Sequence, residues 1–131
     1  MITASEVLKD LKVLYVEDED IARLSIATFL KRLVGEIMTA ENGSIGLQRY
    51  IEHRPAVVIT DLEMPVMNGL EMIRRIRELD NDIPIIITTA YDDEAHACPQ
   101  ANRVILKPIR FMDLVQAVEE CVAAKAILNG A

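Results

Sequence analysis

The chain has 131 residues, 51% of them hydrophobic, and a formal net charge of −7 at pH 7. This length and composition predict one domain over residues 1–131, with a core of its own. The negative charge disfavours direct binding of nucleic acid, and no apolar run approaches the ~20 residues of a membrane-spanning helix. Cys98 and Cys121 form no CxxC pair, so we expect free thiols and a cytoplasmic location.

Five short runs rich in β-branched residues predict β-strands, separated by segments of helical length. Ahead of them, a capping box at residues 3–6 opens a short helical turn, within an N-terminal extension of residues 1–10. The predicted strands are Lys12–Val16, Glu36–Ala40, Ala56–Thr60, Pro84–Thr88 and Arg103–Leu106.

Apolar residues at helical spacing predict the helices that connect and follow these strands. The first covers residues 21–34, with Ile21 and Leu24 on its apolar face, and a weaker one covers Ser44–His53. The charged run at residues 74–78 is interpreted as a solvated helix face. The remaining apolar positions on the predicted helices are Ala27, Leu30, Val34, Leu70, Ile73, Ile76, Leu79, Leu114, Val115, Val118 and Val122.

The alternation of strands and helices predicts an α/β fold with a parallel sheet. Five strands favour the flavodoxin-like, doubly wound arrangement in the order 2-1-3-4-5, with helices on both faces. The fourth helix has the weakest pattern, because the apolar residues of 92–101 are small and Pro99 interrupts them. We therefore expect this helix to be short or irregular.

Polar side chains occur where four of the predicted strands end. Asp18 comes just after strand 1, Asp61 after strand 3, Thr89 after strand 4 and Lys107 after strand 5. Ligands of open α/β sheets bind beyond the carboxyl ends of the strands, close to the point where strand order reverses. The sequence therefore predicts a functional site at this edge of the sheet.

The residue types in this group suit magnesium-dependent phosphoryl transfer. Asp18 and Asp61 offer the carboxylate oxygens that Mg²⁺ prefers, and Glu17 is adjacent to them. A carboxylate can also attack phosphorus to form an aspartyl-phosphate. Lys107 and the Thr89 hydroxyl can then offset charge on the transferred oxygens. Glu19 and Asp20, which follow Asp18 in the sequence, are interpreted only as acids favoured at a helix N-terminus.

Four motifs in this order and spacing make the chain resemble the receiver domain of two-component response regulators. They are the acids in "VLYVEDE", the segment "DLEMPVMNGLE", the "TA" after strand 4 and the "KP" after strand 5. The resemblance covers about residues 10–128. It implies a metal site formed by Glu17, Asp18, Asp61 and the backbone carbonyl of Glu63, holding Mg²⁺, which Mn²⁺ can replace.

The resemblance also implies a function. Asp61 corresponds to the phosphorylated aspartate, Thr89 to the switch hydroxyl, and Lys107 to the lysine that pairs with the acceptor and its phosphoryl group. The phosphoryl donor would be a sensor histidine kinase or a phosphotransfer protein, and the recipient of the signal an output protein or effector domain. Such a domain catalyses only its own phosphorylation and dephosphorylation, so it is not a turnover enzyme. The peptide before Pro108 is cis in the family.

Two features depart from the family pattern. Many members have an aromatic residue three positions before the lysine, where this chain has Val104. Only 17 residues separate Thr89 from Lys107, fewer than is usual, and the missing length falls at the fourth helix. A rotating aromatic ring therefore cannot transmit the signal from this position.

Two other classes of protein share parts of the pattern. A phosphatase of dehalogenase type also has an aspartate nucleophile after a strand, but it requires a second Asp at the position of Glu63. A flavodoxin-like cofactor carrier needs a phosphate-binding loop after strand 1, where the acids of residues 17–20 would repel an anion.

Overall fold

The computed structural model describes residues 4–92 and 98–128, and these form one open sheet with helices on both faces. The five strands lie parallel, in the spatial order β2-β1-β3-β4-β5. The flavodoxin-like order is thus confirmed. In chain order the elements are α1 (Ala4–Lys9), β1 (Lys12–Val16), α2 (Asp20–Lys31), β2 (Glu36–Ala40), α3 (Gly43–His53), β3 (Val57–Asp61), α4 (Gly69–Leu79), β4 (Ile85–Thr89), β5 (Arg103–Leu106) and α5 (Phe111–Leu128).

The sheet separates two apolar clusters, one on each face, as expected for parallel strands covered on both sides. Alternate residues of each central strand belong to opposite clusters, because successive side chains of a strand point to opposite faces. Tyr15 and Ile59 pack with α2 and α5, whereas Leu14 and Val58 pack with α3 and α4. The two layers of helices fix where each strand ends, and therefore where the polar residues meet.

Three predicted strands, β1, β2 and β5, match the observed bounds, and β3 and β4 each lie one residue further along the chain. Asp61 and Thr89 are therefore the last residues of their strands rather than the first residues beyond them. The hydrogen-bonded ladder causes this shift, since Asp61 pairs with Thr88 and Thr89 pairs with Leu106.

The apolar face predicted for α2 is wrong in part. Ile21 and Leu24 are 79% and 70% exposed, and the buried residues of this helix are Ile26 and Leu30. The helix has apolar side chains on two faces, and only the stripe through Ile26 and Leu30 can contact the sheet. The remaining helices predicted outside residues 92–101 are present, including the short N-terminal helix α1.

The prediction for residues 92–101 lies largely outside the described residues. Of this segment the structure describes Asp92 and residues 98–101, which include a turn at residues 99–100. In the described part of the chain, no helix combines the length and apolar character that a membrane crossing requires.

Candidate phosphoacceptor site

Three strand ends bring Glu17, Asp61 and Lys107 into one hydrogen-bonded cluster. The Lys107 ammonium group donates to Asp61 Oδ2 at 2.9 Å and to Glu17 Oε1 at 3.1 Å. Glu17 directly follows β1, Asp61 ends β3, and Lys107 directly follows β5. Since β1 and β3 are neighbours in the sheet, the order of the strands places these side chains together.

Glu17 is the most deeply buried member of this cluster, with 1% of its surface exposed. Burial raises the pKa of Glu17, although the hydrogen bond and charge of Lys107 oppose this effect. The backbone N–H of Glu19 donates to Glu17 Oε2 at 3.3 Å. Burial also opposes the charge of Lys107, but its hydrogen bonds to Asp61 and Glu17 prevail and raise the pKa of Lys107. The charged states of Glu17 and Lys107 therefore depend on each other.

Asp61 is held at the end of β3 by hydrogen bonds from its two neighbours in the chain. Its Oδ1 accepts a 2.7 Å hydrogen bond from the N–H of Leu62, and its carbonyl oxygen accepts one of 2.7 Å from the Thr60 hydroxyl. Gly69 begins α4 so close to this strand end that an added Cβ would clash with the Asp61 carbonyl oxygen. The absence of a side chain at Gly69 thus allows the helix to approach the backbone at the end of β3.

The acids of this edge can hold a divalent cation. Glu17, Asp18 and Asp61 each offer a carboxylate oxygen, and these oxygens all lie within 4.8 Å of one another. Asp18 is exposed and Asp61 is half-buried, so the group opens to solvent beside the buried Glu17. A set of oxygen ligands with room for water suits Mg²⁺. Glu63 follows two residues after Asp61 with an exposed side chain, and the role of its carbonyl stays a prediction.

Thr89 ends β4, and its backbone is hydrogen-bonded to that of Lys107. The Thr89 carbonyl accepts a 2.7 Å hydrogen bond from the Lys107 N–H, and the Thr89 hydroxyl accepts one of 3.2 Å from the N–H of Tyr91. The Thr89 side chain is buried. The peptide between Lys107 and Pro108 is cis, as the resemblance implies.

Sequence reasoning missed the part played by Arg23. Its guanidinium donates to the Glu17 carbonyl oxygen at 2.8 Å and to Asp20 at 2.6 Å. Asp20 therefore orients Arg23, and the hydrogen bond of Arg23 to Glu17 connects α2 to the end of β1. The spacing of Asp20 and Arg23 on one helix face could have predicted their ion pair. The hydrogen bond from Arg23 to the Glu17 carbonyl oxygen could not be predicted, because it depends on how α2 packs.

The parallel sheet, with an acid–lysine cluster at its carboxyl edge, defines a domain of flavodoxin-like topology. The response regulator receiver domain family matches residues 13–119, which is more than half of the 131 residues. The chain belongs to this family, and its function is that of a phosphoacceptor receiver domain in two-component signalling. The phosphatase and flavodoxin-like alternatives are not favoured.

Similar proteins agree with this assignment. The chain is 30% identical over 112 residues to the transcriptional regulatory protein PrrA of Mycobacterium tuberculosis, covering 82% of this chain and 48% of PrrA. It is 28% identical over 120 residues to the response regulator receiver protein CpdR of Brucella abortus, covering 86% of this chain and 98% of CpdR. It thus spans about half the length of PrrA. A solved response regulator receiver domain from Clostridium thermocellum is 28% identical, with a TM-score of 0.83, over 90% of this chain and 98% of that one.

Proposed function

We propose that Asp61 is the residue that accepts the phosphoryl group, in a magnesium-dependent reaction. The observation that supports this most directly is the 2.9 Å contact between Asp61 Oδ2 and the Lys107 ammonium group, beside two further acids. Asp61 is half-buried at the carboxyl edge of the sheet, where a donor can reach it. The N–H of Leu62 and the Lys107 ammonium group hold the carboxylate before the donor arrives, so the reaction costs little further orientational freedom.

The proposed reaction moves one phosphoryl group between two nucleophiles. A carboxylate oxygen of Asp61 bonds to phosphorus while the P–N bond of a phosphohistidine breaks. The electron pair of that bond stays on the imidazole nitrogen, which then takes a proton from solvent. Lys107 and the Thr89 hydroxyl would offset charge on the phosphoryl oxygens, and this positioning supplies most of the catalysis in phosphoryl transfer.

The metal would be held by Glu17, Asp18, Asp61 and the Glu63 carbonyl. Mg²⁺ fits the oxygen ligands of this group, and Mn²⁺ can replace it. When bound, the ion supplies charge neutralisation for the phosphoryl oxygens. The protein contributes the fixed positions of the carboxylates, and Arg23 holds the backbone of Glu17 in place.

The partners proposed follow from this chemistry. The donor is a sensor histidine kinase or a phosphotransfer protein, and the signal passes to an output protein or effector domain. Residues 1–131 would form one receiver domain that modifies only itself and turns over no separate substrate. We also propose a cytoplasmic location, which the free, buried thiols of Cys98 and Cys121 support.

Incubation with acetyl phosphate and magnesium tests the acceptor, with intact mass as the measurement. The wild-type protein should gain one phosphoryl group and Asp61→Asn should gain none. Asp113→Asn, a change at an exposed aspartate of α5, should be labelled like the wild type. Equal labelling of Asp61→Asn would assign the acceptor to another residue.

A further inference from the structure

Val66 has a backbone conformation that valine rarely adopts. Its φ angle is 70°, in the left-handed region, where a side chain branched at Cβ is crowded and the conformation is unfavourable. The N–H of Met67 donates to the Pro65 carbonyl at 2.8 Å. Val66 is therefore the central residue of a three-residue turn, and the form of this turn with positive φ is rare and strained. Asparagine or glycine adopts such a φ angle more readily.

Contacts on both sides of the turn hold Val66 in this conformation. The Met67 carbonyl accepts a 2.8 Å hydrogen bond from the N–H of Gly43, the first residue of α3, and an added Cβ at Gly43 would clash with that same oxygen. The side chains of Met64 and Met67 pack against the apolar cluster on the face of the sheet that α3 and α4 cover. The surrounding fold therefore fixes the turn, as it must where a strained residue persists.

The side chain that this turn presents is apolar and 85% exposed. It therefore gains little from burial within the domain, although its backbone conformation is unfavourable. A single exposed apolar residue is ordinary on a protein surface, but the backbone at Val66 also disfavours valine. Strained residues that the surrounding structure holds in place are concentrated at sites that contact other molecules. Strain and exposure together indicate that Val66 contacts a second molecule.

Val66 lies in the loop that leads away from the phosphoacceptor. The loop starts after Asp61, the last residue of β3, and its base is closed by a 2.8 Å hydrogen bond from the N–H of Gly69 to the Leu62 carbonyl. The loop is therefore at the carboxyl edge of the sheet, where Lys107 meets the Asp61 carboxylate. Since Asp61 is half-buried, a phosphoryl donor approaches it across this edge.

The proposed reaction indicates which molecule would contact Val66. A phosphohistidine carried by a protein reaches Asp61 together with the surface around it, and that surface covers the loops beside the acceptor. A small donor such as phosphoramidate has the same kind of P–N bond but no such surface. Apolar side chains at the centre of an interface contribute to protein binding. An apolar contact on this loop therefore favours a protein donor over a small one.

We propose that Val66 is a docking residue for the protein that donates the phosphoryl group, and that its side chain packs against an apolar patch beside the donor's phosphohistidine. This inference rests on the proposed function, because it needs Asp61 as the acceptor. The fixed turn holds the side chain in one position before docking, which lowers the entropy lost when the contact forms. The same turn makes the free domain less stable than it would be with asparagine at this position.

Phosphoryl transfer from two kinds of donor tests the role of Val66. The protein donors are the autophosphorylated cytoplasmic domains of the sensor kinases that the source genome encodes, and the fastest donor to the wild type is kept. The small donor is phosphoramidate with magnesium. Val66→Asn should slow transfer from the kinase about tenfold, as expected when the burial of one valine side chain is lost. Labelling by phosphoramidate should be unchanged, and the melting temperature should rise by a few degrees because the strain is relieved.

Two further variants separate the apolar contact from the shape of the turn. Val66→Leu keeps an apolar side chain without branching at Cβ, and its rate of transfer from the kinase should stay within about twofold of the wild type. Leu79→Asn is the control, because Leu79 is a half-exposed apolar residue that ends α4 at the opposite edge of the sheet. It should change neither transfer from the kinase nor labelling by phosphoramidate.

Equal transfer from the kinase to the wild type and Val66→Asn would overturn the docking role of Val66. An equal loss with phosphoramidate, or a loss as large in Val66→Leu or Leu79→Asn, would overturn it too. The same holds if phosphoramidate labels the wild type and no kinase of the source genome does. Absence of labelling of the wild type by phosphoramidate would instead overturn the proposed function.

Discussion

The ammonium group of Lys107 donates a 3.1 Å hydrogen bond to the carboxylate of Glu17, a side chain that is only 1% exposed. Lys107 itself keeps 28% of its side chain exposed and also contacts Asp61. One partly exposed cation therefore stabilises two acids at the edge of the sheet. We therefore expect the metal-free domain to depend on this lysine for stability, in addition to any role of Lys107 in phosphoryl transfer.

Replacement of Lys107 by Met should destabilise the metal-free protein by about 2 kcal/mol, because Glu17 stays buried and loses its charged hydrogen-bond donor. The loss should shrink as the pH falls from 7 towards 5. A carboxyl group whose pKa is raised in the folded state binds a proton more readily when the protein is folded. Lowering the pH therefore favours folding until the pH reaches 4.5, the pKa of this carboxyl group in the unfolded chain. Urea unfolding at several pH values measures this.

Lys12→Met is the control for this experiment. Lys12 also pairs with a glutamate, Glu36, at 4.0 Å, but both side chains are about half exposed. Exposed ion pairs contribute little to stability, so this variant should lose less than about 0.5 kcal/mol and show no comparable dependence on pH. A similar loss of stability in both variants would mean that the burial of Glu17 does not increase the contribution of its ion pair with Lys107.

Removal of one acid should stabilise the metal-free protein and weaken its response to magnesium. Glu17, Asp18 and Asp61 place three carboxylates within 4.8 Å, and like charges at this range repel. Millimolar magnesium should raise the wild-type melting temperature by a few degrees, since a ligand that binds only the folded form stabilises it. In Asp18→Asn the melting temperature without metal should be higher and the shift smaller.

Asp113→Asn is the control, because Asp113 is an exposed aspartate of α5 and is not one of the three acids grouped at the edge of the sheet. Its magnesium response should equal that of the wild type. If magnesium shifts neither protein at low ionic strength, the metal site is assigned wrongly.

The strands and the polar strand ends could be predicted because both are local features of the sequence. Runs of β-branched residues fix the strands to within one residue, and a parallel topology then gathers Asp61 and Lys107 at one edge. The exposed face of α2 could not be predicted in the same way. Ile21 and Leu24 are apolar, and only the packing of the helix decides which of two apolar faces contacts the sheet.

Contacts made by side chains across the fold could not be predicted either. In the sequence Tyr15 is one residue of an apolar strand, and only the packed core shows that its hydroxyl has no hydrogen-bond partner among the described residues. Arg77 lies within the charged run read as a solvated helix face, yet its guanidinium contacts the backbone beyond the helix. Its neighbours Arg74 and Arg75 do pair with exposed acids, as expected.

Tyr91 should control the lifetime of the phosphoryl group. It lies two residues after Thr89, and the resemblance places this position beside the path of the water that hydrolyses the aspartyl-phosphate. Its side chain is half exposed, and its N–H donates to the Thr89 hydroxyl. Tyr91→Ala should speed dephosphorylation several-fold by opening this path, as measured by loss of phosphoprotein over time. Tyr91→Phe keeps the bulk of the ring and should decay like the wild type, and equal rates for all three would exclude Tyr91 from this role.

Arg77 should hold the chain that leads into β5, and its replacement should loosen that segment first. The guanidinium donates to the carbonyl oxygens of Ile83 at 2.6 Å and Gln100 at 2.8 Å, and to Asn102 Oδ1 at 3.0 Å. Asn102 in turn accepts from the N–H of Ile85, so one arginine of α4 connects the starts of β4 and β5.

Lysine cannot reproduce this fork of donors, and Arg77→Lys should therefore destabilise the protein by about 2 kcal/mol. Hydrogen exchange provides the sharper measurement, because the amides of Ala101 and Asn102 bond to the carbonyls of Cys98 and Ile85. These two amides should exchange faster in Arg77→Lys than global unfolding alone explains. Arg75→Lys, at an exposed position of the same helix, should change neither quantity. Uniform loss of protection across the sheet would show that Arg77 supports the whole fold rather than this segment.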